Sequence, residues 1–128
     1  MDAFRTAVEA GDLEAMSAEL SDDVEFHSPV AFKPFVGRES ASGVLAGVMS
    51  TFTEFEYTDE LHEGDSSALV FSAKIGDKKV QGLDYLKRDA DGKIEEFTVM
   101  LRPLSAIVAM GEAMAPKVEG LAKGEAPK

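Results

Sequence analysis

The chain has 128 residues, no cysteine and a formal net charge of -11. That length makes one domain of ordinary size, able to bury roughly two-thirds of its unfolded surface. The missing cysteines exclude disulfides and thiolate chemistry, and the negative balance excludes nucleic acid and anionic membranes as natural partners. Acidic groups are spread from Asp2 to Glu96, while the stretch from Leu104 onward is balanced. No apolar run reaches the length of a membrane span, and Met1-Asp2 does not open a signal peptide, so a cytoplasmic protein is expected.

Residues 3–10 read as a short helix with Phe4, Ala7 and Val8 on one face. Gly11 suits its C-terminus, and Asp12 suits the N-cap of a second helix in which Leu13, Met16 and Leu20 recur at helical spacing. Ser21-Asp22-Asp23 is expected to stop that helix. Val24 to Ser28 alternates as a strand, ended by Pro29. Residues 29–37 form a loop whose apolar members, Val30, Phe32, Phe35 and Val36, suit a segment that covers something. A third helix is predicted over about 39–52, with Val44, Leu45, Val48, Met49 and Phe52 as its buried stripe. Gly43 and Gly47 are four apart and point to close packing on one side.

The chain then turns to strands. Phe55, Tyr57 and Leu61 alternate with Glu56, Thr58, Glu60 and His62, and Gly64-Asp65-Ser66 makes a turn. Leu69, Phe71, Ala73 and Ile75 share a face, Gly76-Asp77 is a hairpin turn, and Val80 to Leu86 follows. After Asp91-Gly92, the last strand sets Phe97, Val99 and Leu101 against Thr98, Met100 and Arg102. Pro103 ends the sheet. Ser105 is expected to cap a final helix carrying Ile107, Met110, Met114, Val118 and Leu121, and Pro116 to kink it. The division expected is a domain over 1–115, with the helix end and a disordered tail over 116–128. Helices first and strands after give α+β, with a curved sheet wrapped around the helices and a conical hollow at one end.

Asp84 lies in an apolar strand, in line with Val80, Gly82 and Leu86. A carboxylate there is either on a solvated sheet face or in a cavity where burial raises its pKa. His27 is the second acid–base candidate, because histidine titrates near neutrality. Alternation sends it away from the side of Ser28, and only a bend at Pro29 would bring it in. No histidine and carboxylate spacing matches a metal site, and no cofactor is implied.

The chain resembles the NTF2-like (SnoaL-like, cystatin-like) superfamily. The residues that carry the resemblance are Ala10-Gly11-Asp12-Leu13, Asp22-Asp23-Val24-Glu25-Phe26, the run from Pro29 to Phe35-Val36-Gly37-Arg38-Glu39, and Asp91-Gly92-Lys93-Ile94. The resemblance implies an α+β cone over roughly residues 3–102. Ketosteroid isomerase in that superfamily needs an aspartate base, a tyrosine and a neutral acid. Aligned on these motifs, the base falls on Ser28, the tyrosine on Phe4 and the neutral acid on Asp84. Limonene epoxide hydrolase needs an arginine and two acids, and here Gly82, Asp84 and Val99 stand at those places. One role in three survives in each comparison.

The resemblance also implies a pocket wall. Phe26, Ser28 and Phe35 come from the first strand and its loop, and Val48, Met49 and Phe52 from the third helix. Leu69, Phe71, Phe97, Val99 and Leu101 come from the sheet. The function expected is binding of a small, largely apolar molecule in the cone. Its enzymatic form would be proton transfer of isomerase, cyclase, dehydratase or hydrolase type, with Asp84 as the acid or base. The alternative is a non-catalytic dimeric ligand-binding or assembly module. A homodimer through the outer sheet face is expected, with Tyr57, Tyr85, Thr98 and Met100 contributing.

Overall fold

Asp2 opens the first helix, α1 (Ala3–Glu9): its carboxylate accepts from the backbone N–H of Phe4 at 2.8 Å and of Arg5 at 3.2 Å. The computed structural model describes the backbone of residues 2–123 and the side chains as far as Lys117. The side chains of Val118 and Leu121, and the expected disordered tail beyond Lys123, lie outside the described residues. Gly11, at φ +68°, takes the left-handed conformation that releases the chain from α1. Asp12 then caps α2 (Leu13–Ala18) by accepting from Ala15 N–H at 3.0 Å. Asp12→Ala should lower stability by about 1 kcal/mol, read from urea denaturation.

The second helix is shorter than its apolar spacing suggested. Leu20 is fully buried as the first residue of β1 (Leu20–His27), beside Ile94, whereas Leu13 is 47% exposed. Ser21-Asp22-Asp23 therefore sits inside a strand rather than at a helix end. The helix α3 (Arg38–Thr51) is fastened to that strand, because the Arg38 guanidinium donates to the Leu20 carbonyl at 3.0 and 3.2 Å and pairs with Asp22 at 2.9 Å. A short strand, β2 (Phe35–Val36), falls in the stretch expected to be loop and pairs with Glu25 and Phe26.

Strands β3 (Thr53–Glu63), β4 (Ser66–Ile75), β5 (Lys78–Arg88) and β6 (Ile94–Arg102) are joined by hairpins, as read from the turns. The curved, open sheet has the order β2-β1-β6-β5-β4-β3, with β1 parallel to β6 and the other pairs antiparallel. Phe97 of β6 centres the core: its ring is 5.1 Å from that of Phe4 on α1 and 5.0 Å from that of Phe26 on β1.

The last helix, α4 (Leu104–Lys123), starts one residue before Ser105, with Ala106 and Ile107 N–H bonded to the Pro103 carbonyl. Ser105 lies in its first turn and is not the cap. The helix runs through Pro116 without a break. Proline there removes one bond to the carbonyl of Glu112, a residue on the exposed side of the helix, where the freed carbonyl is open to solvent. α4 packs on α3, β6 and β5. A Cβ on Gly47 would come within 3.0 Å of the Met114 methyl, and the Lys117 ammonium donates to Thr51 Oγ1 at 2.6 Å. Close packing beside Gly47 is thus the α3–α4 contact.

Candidate functional site

The inner face of β5 carries Val80, Gly82, Asp84 and Leu86, all buried. Asp84 is flanked across the sheet by Leu69 of β4 and Val99 of β6. Its partner is Tyr57, whose hydroxyl donates to the carboxyl at 2.9 Å. Each of the two residues is only 6% exposed. Burial pushes the Asp84 carboxyl up to about 7, against the smaller downward pull of the Tyr57 hydrogen bond. The Tyr57 phenol is pushed far above its ordinary value, first by burial and then by the negative charge of Asp84. At neutral pH the pair therefore shares one or two protons, and a protonated Asp84 has an O–H of its own to donate.

Tyr57 was expected on the outer face. Its inward position is shared with Phe71, its partner in β4, but the register slips between Tyr57 and Asp59. Beyond the slip, Glu60 faces Leu69 and His62 faces Ser67 on the inner side, while Leu61 turns outward and is 65% exposed. A bulge adds one residue and reverses the alternation that follows.

That reversal builds a polar clasp at one end of the sheet. Arg88 donates to Asp2 at 2.7 Å and to Ser67 at 2.9 Å. His62 bridges Ser67 at 2.7 Å and Glu60 at 2.6 Å. The Glu60 carboxylate also takes Arg5 at 3.0 Å and the Asp2 N–H at 2.8 Å, and its pKa is lowered chiefly by the His62 contact. The Arg5 guanidinium stands 5.5 Å from the centre of the Tyr57 ring. The sequence Ser67–His62–Glu60 has the order of a nucleophilic relay. Ser67, however, is 3% exposed and also accepts from Arg88, so it ties α1 to the sheet rather than facing a substrate.

A separate apolar cavity of about 60 Å³ lies between α3, α4, β6 and the segment Ser28–Phe35. Of the expected wall, Phe26, Ser28, Phe35, Val48 and Val99 line it, joined by Val44, Met110, Met114 and the loop residues Pro29, Val30 and Ala31. Ser28 bonds its hydroxyl to Val30 N–H at 3.0 Å. The other expected wall residues are not at this cavity. Phe52 and Phe71 pack with Phe55 and Tyr57 in an aromatic cluster, Phe97 is held between Phe4 and Phe26, and Leu69 is fully buried beside Asp84. Met49 is half-buried on α3, one residue round the helix from Val48, and Leu101 is half-buried opposite Gly82.

Asp84 does not line the cavity either; it stands one strand behind Val99, at the distance of a cross-strand pair. His27 pairs with Thr98, faces outward and meets Glu25 at 3.5 Å. Alternation holds from Val24 to the strand's end at His27, so His27 shares the outer face with Glu25. Among the described residues, no group of three or more histidine and acidic side chains is placed to hold a metal. Sequence reasoning missed Tyr57, Met110 and Met114. For the methionines the helical stripe was the available signal; for Tyr57 it was the alternation with Phe55, which puts both on one face, since the bulge reverses only the residues after Tyr57.

Two solved structures are similar to this one over nearly its whole length. A protein of cystatin-like fold, conserved in bacteria, from Silicibacter pomeroyi is 32% identical with a TM-score of 0.88, over 94% of this chain and 86% of that one. A steroid delta-isomerase from Pseudomonas aeruginosa is 34% identical with a TM-score of 0.86, over 94% and 89%. An NTF2-like protein from Burkholderia xenovorans, 19% identical over 77% of each chain with a TM-score of 0.68, shares the fold. No curated protein matches the sequence. The family model for the SnoaL-like domain matches residues 1–97, the span from α1 through most of the sheet, so this chain belongs to the SnoaL-like family.

Proposed function

We propose that this protein binds a small, largely apolar molecule bearing a ketone or enol oxygen, with the Tyr57–Asp84 pair as its polar anchor and the cavity behind Val99 as the start of its apolar bed. The observation that carries the reading is a buried carboxyl bonded to a buried phenol, one strand from an apolar hollow. When a ligand oxygen takes the place of Asp84 as acceptor for the Tyr57 hydroxyl, the phenol and a protonated Asp84 supply two O–H groups in apolar packing that can stabilise negative charge developing on it, the electrostatic half of an isomerase site. The similarity to the Pseudomonas aeruginosa steroid delta-isomerase supports the same class.

The other half would be a base, and among the described residues none lines the cavity. Ser28 stands where the resemblance puts one, and a hydroxyl does not abstract a carbon-bound proton without a partner base. The described residues thus support binding and polarisation of the ligand oxygen. 2-Naphthol, a planar phenol shaped like an enol, is a direct probe. It should bind with Kd below about 1 mM, shift the methyl signals of Val99, Met110 and Met114 in NMR spectra, and weaken about tenfold in Tyr57→Phe. Shifts confined to the outer sheet face would contradict the reading.

The non-catalytic module remains a second reading, favoured by the small size of the hollow. A homodimer through the outer face belongs to either reading, supported by Met100, 49% exposed, with the half-buried Tyr85 and Thr98 beside it. Light scattering should then give twice the chain mass, and Met100→Lys should give the monomer.

A further inference from the structure

The inner face of β5 has a gap at Gly82, and Phe71 fills it. A Cβ built on Gly82 would stand 2.1 Å from Phe71 Cζ and 2.6 Å from Cε1 and Cε2. The ring thus lies against bare backbone, in space that any other side chain would need. Glycine weakens a strand interior, and its use there marks a close approach. Phe71 reaches across from β4, where it pairs with Gly82, and is held by Phe55 at 4.8 Å, Phe52 at 5.5 Å and Tyr57 at 6.2 Å between ring centres.

Gly82 and Asp84 are successive residues on one face, about 7 Å apart along the strand. The Phe71 ring is therefore the neighbour of the carboxyl, and it meets edge-on the tyrosine that bonds that carboxyl. The cavity, meanwhile, is small, about 60 Å³, and among the described residues Ser28 is its one polar side chain. Apolar space and polar anchor are thus separate, and a six-membered ring of ligand size fills the ground beside the anchor.

We propose that Phe71 is an internal plug and the specificity-determining residue of the ligand site: over Gly82 its ring holds the place that a ligand ring takes when the ligand's oxygen bonds Tyr57 and Asp84. This rests on the proposed role of that pair as the polar anchor. Ligands enter as Phe71 leaves Gly82, and the ring sets the size and flatness of what can follow it. Ordinary core packing makes a different forecast, since shrinking the ring would then leave an apolar hole indifferent to a hydroxyl group.

The test compares 2-naphthol with naphthalene on the wild-type chain, Phe71→Leu and Phe71→Ala, with Kd read from probe fluorescence and folding from circular dichroism. Phe71→Leu keeps an apolar side chain, so the comparison stands even where Phe71→Ala unfolds. 2-Naphthol should bind Phe71→Leu at least about tenfold tighter than wild type. Naphthalene should gain less, and Tyr57→Phe added to Phe71→Leu should remove most of the difference between the probes. Equal gains for both probes, or none for either in a folded variant, would overturn the plug. If wild type binds 2-naphthol and Phe71→Leu shows no gain, the plug falls while the binding site stands. If wild type does not bind and Phe71→Leu binds through the hydroxyl, the plug stands and binding by the wild-type chain falls.

Discussion

Asp84→Asn should leave stability nearly unchanged at about pH 4 and raise it by about 4 kcal/mol at about pH 8. Burial pushes the folded carboxyl up to about 7, from an ordinary value of 3.8. Between those values the folded chain keeps a proton that the unfolded chain has released. Stability therefore falls as pH rises wherever the folded state binds more protons. The Asp84 contribution is fully present below the unfolded value and is lost as pH rises through the folded one. Three pH units of difference, at about 1.4 kcal/mol each, give the size of the effect. Asparagine keeps an oxygen for the Tyr57 hydroxyl and does not titrate, so the difference between the two chains isolates this one group. Urea denaturation at about pH 4, 6 and 8 checks it. A difference that stays constant across the range would mean that Asp84 is ionised in the folded chain.

Phe97→Ala should cost about 3–5 kcal/mol, a large share of the stability of a domain of this size. Phe97 is 1% exposed and touches Phe4 edge-on and Phe26 at a tilt, so its loss opens a cavity between α1, β1 and β6 at once. None of the three elements can close the hole alone, because β1 and β6 are locked in register at Phe26–Phe97. The comparison is Phe32→Ala, at a ring fully exposed in the loop before β2, where the change in stability should be near zero. Equal effects of the two substitutions would mean that the α1–sheet contact is not the centre of the core.

The architecture could be read from the chain because its signals are local. Gly76, at φ +61°, and Gly92, at φ +82°, fall in the turns that separate the strands, and the alternation of β4, of β5 and of β6 from Phe97 onward survives in the fold. That alternation is also what puts Asp84 inside. Its partner Tyr57 stands on the face that alternation with Phe55 gives it; what alternation does not give lies just beyond, where β3 carries an extra residue, so Glu60 and His62 turn inward and Leu61 outward. Nothing in Phe55–Leu61 as letters marks the slip. The start of β1 misled in another way: Leu13, Met16 and Leu20 fit a helix stripe, but Leu20 is buried by pairing with Ile94, a contact far away in sequence. The pocket wall was partly legible, since the last helix supplies Met110 and Met114 from its predicted apolar stripe. Which inward rings line space and which fill it depends on rotamers, and Phe71 over Gly82 is the case that decides.

Tyr57 adds a constraint on the polar anchor. Its ring is gripped by Phe55 and Phe71 edge-on, with Arg5 at 5.5 Å. The hydroxyl is thus aimed by packing as well as by the hydrogen bond. A rigid donor of that kind costs little reorganisation when charge develops on a bound oxygen.

The titration of the Asp84 carboxyl carbon, followed by NMR in the ligand-free chain, addresses the central claim directly. A midpoint near 7 is the result this account requires, for an acid that keeps its proton in oily surroundings beside a phenol. A midpoint at or below about 4 would contradict it, because such a carboxylate would be paying no desolvation penalty and could not serve as a neutral donor.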